Sequence, residues 1–255
     1  IRKIITYYNP LSWVLAGLVV RGDIAHIQWW SIPIAPIYLV LLLVLKVRQK
    51  KVIFTVHNVT PHESSVVDKF LTKLVFNFGD AFIVHSSSNR DSLIRRFNLP
   101  NNAIHEVHMP VHDMYEGEGF TQKQVRTEIG IPENARVILS FGNLREYKGV
   151  DRLIAALPAI VECVPTAHLL IVGQPWVKWD TYERLIKELD LWERVSIVLR
   201  YVPMSEVKKY FVASDLVALP YRRFDAQSGV GSIALAYSLP MVVSRVGGLP
   251  DLIQD

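Results

Sequence analysis

A single cysteine, Cys163, occurs in the 255 residues of this chain. Its isolation excludes a disulfide framework and any cysteine-built zinc site, and it fits a reducing cytosol. Thirteen glycines and fourteen prolines are too few for collagen-like or low-complexity sequence. A large excess of one charge is lacking too. The 28 Lys and Arg against 24 Asp and Glu leave +4, too mild to imply nucleic acid. What is present is apolar: half the residues are hydrophobic and a fifth are charged, the make-up of packed cores rather than of disorder. At roughly 100–200 residues per domain, the chain makes one large or two ordinary domains. A mean hydropathy of +0.22 is high for a soluble enzyme, so a membrane span is tested first.

The most apolar stretch runs from Ile34 to Leu45 and ends in the basic run Lys46-Val-Arg-Gln-Lys-Lys51. Pro33 and Pro36 argue against one continuous helix through Trp29-Trp30-Ser31. From Ile37 to Leu45 a helix rises about 13 Å, far short of a ~30 Å hydrocarbon core. The stretch is internal, with no charged leader or cleavage site around it, so it is no signal peptide. It reads as a buried helix between two strands. A sharper reading adds peripheral contact with an anionic membrane through Lys46, Arg48, Lys50 and Lys51.

Short apolar runs alternate with helical patterns along the chain. In the second half, strands are expected at 137–141, 169–172, 195–199, 216–219 and 241–244. Helices are expected at 150–161 (bent or shortened by Pro158), 182–189, 205–213 and 232–237. Such alternation means a parallel sheet covered on both faces. In the first half, strands are expected at 24–28, 51–56, 81–84 and 104–108, with helices at 36–47, 66–78 and 89–97. The division is an N-terminal Rossmann-like domain over 1–115, a connection over 116–135 with a short helix at 122–129, and a C-terminal domain over 136–255. Two such α/β domains in series suggest a ligand between them at the carboxyl ends of the strands.

Two loops carry the chemistry. In Phe141-Gly-Asn-Leu-Arg-Glu-Tyr-Lys-Gly149 a strand ends at a glycine and a helix begins just after a lysine. Exposed N–H groups at a helix start favour phosphate, and Arg145 and Lys148 add positive charge. A plain loop with solvated basic residues would look the same. In Pro220-Tyr-Arg-Arg-Phe-Asp-Ala-Gln-Ser-Gly-Val-Gly-Ser232, Gly229 and Gly231 allow close backbone approach to a ligand. Asp225, Gln227 and Ser228 offer hydrogen bonds to hydroxyls or phosphate. Val246-Gly-Gly-Leu-Pro250 repeats the same glycine-turn design. His105, His108 and His112 straddle a strand end and Pro110 with no paired carboxylate in a fixed element, so no metal site is expected. At the end of the first strand, one of Trp29 and Trp30 should be core and the other should line the cleft.

The segments FGNLREYKGVDRLIAAL (141–157), HLLIVG (168–173), YVPMSEVKKYFVASDLVALPY (201–221) and QSGVGSIALAYSLPMVVSRVGGLPDLI (227–253) resemble the group-1, family-4 type of retaining glycosyltransferases. HIQWWSIPIAP (26–36), FTVHNVTPHE (54–63) and AFIVHSS (81–87) resemble members acting on bacterial polysaccharide or lipid-linked acceptors. The resemblance covers nearly the whole chain and implies the α/β GT-B fold. It implies a C-terminal domain for a nucleoside-diphosphate sugar and an N-terminal domain for a glycan or lipid-linked acceptor. No further cofactor and no metal are implied, and no Asp-x-Asp triplet occurs. The catalytic set carried over is His57, Arg145, Lys148 and Asp225.

The same resemblance places the donor against Gly142, Asn143, Arg145, Lys148, Gln227, Ser228, Gly229, Val230, Gly231 and Ser232. The acceptor side falls to Trp29, Trp30 and Asn58. Two departures stand out. Asn143 replaces the family's arginine, with Arg145 as the candidate substitute, and Ile233 stands where the family's ribose-binding glutamate would be. They keep open a non-catalytic subunit that binds a nucleotide sugar or a partner enzyme, and an epimerase on the same fold is a third reading. The chain is also expected to be a fragment, without the family's first strand and closing elements. The expected place is the cytoplasm, peripheral at the inner face of the membrane.

Overall fold

The computed structural model describes residues 5–59, 66–107, 119–224 and 227–253. The chain divides into two compact units, Ile1–His108 and Met109–Asp255. In the first, α1 (Pro10–Val19) precedes β1 (Ile24–Trp29), α2 (Ala35–Val47), β2 (Lys51–Val56), α3 (Val66–Phe76), β3 (Ala81–Val84), α4 (Ser87–Phe97) and β4 (Ile104–Glu106). The four strands form a parallel sheet in the order β1-β2-β3-β4. Ile27, Trp29, Phe54, Val56, Phe82 and Val84 alternate along the strands into one apolar core under the helices. The intervening residues His26, Gln28, Ile53 and Ile83 remain exposed or half-buried. The sequence pattern does not announce α1, which starts with Asn9 accepting a hydrogen bond from Leu11 N (3.1 Å) and Pro10 in its first turn.

The apolar stretch is α2, as its length required. Among the described residues no helix is long and apolar enough to cross a membrane. Its basic run has intramolecular partners. Lys46 and Lys51 pair with Asp80, and Lys50 with Asp23. Arg48 donates to the carbonyls of Gly17 (2.7 Å) and Val20 (2.8 Å), closing the carboxyl end of α1.

In the second unit, α5 (Gln122–Glu128) leads into β5 (Arg136–Phe141), α6 (Val150–Cys163), β6 (Ala167–Val172), α7 (Asp180–Glu188) and β7 (Val195–Val198). Then follow α8 (Met204–Val212), β8 (Leu216–Leu219), α9 (Gly229–Ala236) and β9 (Met241–Val243). The parallel sheet runs β7-β6-β5-β8-β9. Every residue of β6 is buried. Leu170 and Val172 join one core cluster, Leu169 and Ile171 the other, so this sheet is covered on both faces. Pro158 does not shorten α6, because Val150, Leu153, Ile154 and Leu157 anchor the helix on the sheet. That packing outweighs one lost backbone hydrogen bond. Helix α9 starts three residues earlier than the apolar pattern suggests, at Gly229, because Ser228 caps it.

Arg126 ties α5 to this sheet. Its guanidinium is buried and donates to the carbonyls of Ala213 (2.9 Å), Glu133 (2.9 Å) and Ala135 (3.0 Å) and to Asp215 (2.7 Å). The same Asp215 oxygen accepts from Val137 N at 2.7 Å, fixing the start of β5. Arg126→Ala should therefore destabilise the unit by about 3–5 kcal/mol, the scale of a broken buried pair. Urea unfolding checks this, and a midpoint equal to the parent's would refute it.

Candidate functional site

The sheet of the second unit reverses its order between β5 and β8. Both neighbouring strands of β5 are reached from one point, the topological switch where α/β sheets bind ligands. The loops leaving β5 and β8 meet there. Gly149 has a left-handed φ of +67°, and a Cβ on it would come within 2.2 Å of the Pro220 carbonyl oxygen. Gly173, after β6, is as tight against β5, since a Cβ would lie 2.0 Å from the Gly142 oxygen. Only glycine permits either approach. Arg222 N donates to Tyr147 O (2.7 Å), and Arg222 pairs with Asp151.

Lys148 lies inside this turn. Its Nζ donates to Phe141 O at 3.2 Å and sits 5.6 Å from the centre of the Tyr221 ring. A Cβ on Gly142 would come within 3.0 Å of that Nζ. Burial, and then the charge of Arg145, push the Lys148 ammonium down to about 8. Arg145 is exposed and lies over the Trp176 indole, 4.5 Å from the ring centre. Backbone bonds hold that tryptophan in place, with Leu144 N donating to Gln174 O and Trp176 N to Leu144 O, both 2.9 Å. Two cations thus sit close together with no carboxylate paired to either among the described residues. Such a place favours an anion.

The β8 loop supplies the other wall. Ser228 and Gln227 are buried, and Ser228 Oγ accepts from Gly231 N (3.4 Å) at the start of α9. Val230 faces Gly142, 3.6 Å from where its Cβ would be. Gly231 packs so closely on Leu252 that a Cβ would meet its Cδ1 at 2.3 Å. Asn143 is exposed, Ser232 is buried, and Ile233 is part of the core. Asp225 lies outside the described residues, as do His108 and His112. Sequence reasoning missed Tyr147, Tyr221 and Phe224, whose rings pack within 6.1 Å of one another beneath the loop. Their clustering on both loops was the available signal. A separate cavity of about 700 Å³, lined by Glu146, Asp151, Lys178, Thr181, Tyr182 and Arg222 among others, does not include Lys148. Its lining of both signs gives an anion no preference.

In the first unit, His57 follows β2 and stacks on Trp30, with centroids 3.7 Å apart and planes at 7°. Its Nε2 is 2.6 Å from Gln28 Oε1, and the His85 ring is 5.4 Å away. Burial first, then His85 and His26, push His57 down to about 4. Asn58 Nδ2 donates to Trp30 O at 3.2 Å. Trp29 is buried against Tyr38 and Phe76, so it belongs to the core and not to an acceptor surface. Gln28, His26 and His85 complete this polar cluster and escaped the sequence reading, although polar residues alternating along an apolar strand could have marked them.

Two parallel-sheet α/β units in one chain are the architecture of the GT-B fold. Residues 121–255 match the family described as glycosyl transferases group 1, and the chain belongs to it. D-inositol 3-phosphate glycosyltransferase of Corynebacterium aurimucosum is 29% identical over 188 residues, covering 69% of this chain and 43% of that protein. The GDP-mannose-dependent alpha-(1-6)-phosphatidylinositol monomannoside mannosyltransferase of Mycolicibacterium smegmatis is 28% identical over 150 residues, covering 56% and 38%. This chain spans about two fifths of the length of these curated relatives. Among solved structures, Anabaena Alr3699/HepE in complex with UDP has a TM-score of 0.78 at 18% identity, covering 96% of this chain and 66% of that one. Sucrose-phosphate synthase from Thermosynechococcus elongatus has a TM-score of 0.71 at 18% identity, covering 98% and 63%.

The paired cations give a direct expectation. Lys148 should lose its proton near pH 8, and Arg145→Ala should move that midpoint upward by removing a like charge. An unfolded lysine keeps its proton to about 10.4. Unfolding therefore takes up a proton above about pH 8, and this residue's contribution to stability grows as pH rises through that window. NMR titration of the dimethylated lysine checks both, and a Lys148 midpoint unchanged by Arg145→Ala would refute the coupling.

Proposed function

We propose that this chain forms the donor and acceptor domains of a retaining glycosyltransferase. The enzyme moves a sugar from a nucleoside-diphosphate sugar to a hydroxyl of a glycan or lipid-linked acceptor. The observation that carries the reading is the Lys148 ammonium, held at the end of β5 beside Arg145 with no carboxylate paired to either among the described residues. A nucleoside diphosphate leaves with growing negative charge, and positioned cations lower the barrier most when they meet charge that builds in the transition state. Anabaena Alr3699/HepE has been solved with UDP and with UDP-glucose, and the Mycolicibacterium relative is GDP-mannose-dependent, which supports a nucleotide-bound donor here.

In this reading Arg145, Lys148 and Asp225 act at the donor, and Gly142, Asn143 and residues 227–232 cradle it. The sugar is displaced on its front face, and neither metal nor cofactor takes part. His57 faces the transferred sugar, and Trp30 and Asn58 serve the acceptor. The place of action is the cytoplasm, in keeping with one unpaired, exposed Cys163. A non-catalytic subunit that binds the nucleotide sugar is the alternative, favoured by Asn143 and Ile233.

In an enzyme that contains this chain, Lys148→Ala should cut turnover by about 10²–10³-fold, the scale of a lost electrostatic stabiliser. Donor affinity should fall less. Arg145→Ala should act similarly if it replaces the arginine missing at Asn143. Silence of both variants in an active enzyme would refute the donor site. Donor binding without transfer or hydrolysis would favour the subunit.

The reading includes peripheral contact with an anionic membrane through the basic run Lys46, Arg48, Lys50 and Lys51, to which the exposed Leu11, Leu15 and Leu18 of α1 would add apolar surface. The ion pairs of Lys46 and Lys51 with Asp80 lie at the surface and leave both cations open to lipid. Lys46→Gln with Lys51→Gln should weaken flotation with anionic vesicles. Flotation unchanged by that double substitution would discard this contact.

A further inference from the structure

His26, Gln28 and Trp30 follow one another on one side of β1, while Ile27 and Trp29 between them enter the core. Gln28 pairs in register with Thr55 on β2. Its amide touches two histidines: Oε1 is 2.6 Å from His57 Nε2, and Nε2 is 3.4 Å from His26 Nε2. An amide oxygen only accepts, so the proton between Gln28 and His57 belongs to His57 Nε2. An amide nitrogen only donates, so His26 Nε2 accepts. Its single lone pair goes mainly to the Thr55 hydroxyl, 2.7 Å away, and the longer amide contact shares it. The Gln28 backbone is held in turn, its carbonyl taking the Tyr38 hydroxyl proton at 2.7 Å. Trp30 stacks on the His57 ring and leaves it little freedom to turn. No described residue bonds to His57 Nδ1.

We infer that Gln28 is a positioning residue that fixes His57 as the neutral Nε2–H tautomer and so presents its Nδ1 lone pair as an acceptor for a sugar hydroxyl. The inference rests on the reading above, which puts His57 beside the transferred sugar. The opposite tautomer would offer an N–H, and an imidazolium would offer two donors, so each would reverse the hydrogen bond. Among the described residues the titratable groups around His57 are His26 on β1 and His85 after β3, and both disfavour its protonation. Trp30, Gln28 and Thr55 carry no charge. His57 is therefore neutral at pH 7, and the amide alone decides which nitrogen holds the proton. A hydroxyl that donates to Nδ1 keeps its own lone pairs for other partners, so a deoxy sugar would lose the contact.

Long-range imidazole 1H–15N correlation on the labelled chain tests the tautomer without any assay of transfer. At pH 7 the parent should show His57 protonated at Nε2. Gln28→Leu should mix the two tautomers. Gln28→Glu accepts the same hydrogen bond with a negative charge, so it should raise the His57 midpoint by at least about one pH unit. A parent His57 protonated at Nδ1, or His57 signals unmoved in both variants, overturns the inference whatever the activity. In a sugar-transferring enzyme, Gln28→Leu should lower kcat by roughly 10–100-fold, the range for losing the partner that orients a functional histidine. KM for the donor should change little. A mixed tautomer with unchanged kcat overturns the positioning role, whereas His57→Ala with full activity overturns the placement of His57 and leaves the tautomer result standing.

Discussion

Backbone approaches too close for any side chain set the geometry of the second unit. At Gly149 and Gly173 a Cβ would overlap a carbonyl oxygen of the neighbouring loop. Because the loops after β5, β6 and β8 close to that distance, Lys148 reaches back to the Phe141 carbonyl and Tyr221 comes under its ammonium. The aromatic rings of both loops then fill the space below. A side chain at either glycine would part the loops and return Lys148 to water, where its charge would be screened and ordinary. The electrostatic character of the turn is thus a packing result.

The two sheets show how differently one architecture can be finished. In the second unit β6 is buried at every position and, His168 apart, apolar, so it serves two cores and reads as a nearly continuous run. In the first unit the strands alternate, and the side away from the helices carries His26, Gln28 and Thr55. Alternation in a parallel sheet is where polar side chains can collect without entering a core. The histidine cluster uses that side.

Most of the fold was legible. Short apolar runs located the strands at 51–56, 81–84 and 216–219 to the residue, and helical periodicity found the helices between them. Helix α1 was not legible, because its apolar residues lie both inward and outward and give no amphipathic stripe. The ends of α6 and α9 were misjudged for local reasons: tertiary packing carried α6 past Pro158, and a serine cap extended α9 backward. At the site, Lys148 and the glycines announced themselves through loop chemistry and resemblance. Trp176 and Gln28 did not, since each matters only through a partner that the fold brings near, Arg145 in one case and His57 in the other. Trp29 and Trp30 were separable only as a pair. Which indole enters the core follows from strand phase, and the structure gives that to Trp29.

The buried lysine has a bearing on reactivity as well as on charge. An ammonium is inert toward electrophiles, and the free amine is the nucleophile. With its proton held only to about pH 8, Lys148 carries an appreciable population of free amine in mildly alkaline buffer, where an ordinary lysine carries almost none. An acylating or aldehyde reagent small enough to enter the turn would find more free amine there than on a solvated lysine, and an anionic occupant of the turn, by restoring the proton, would shield it. The residue is in effect a built-in reporter of whether the turn is filled.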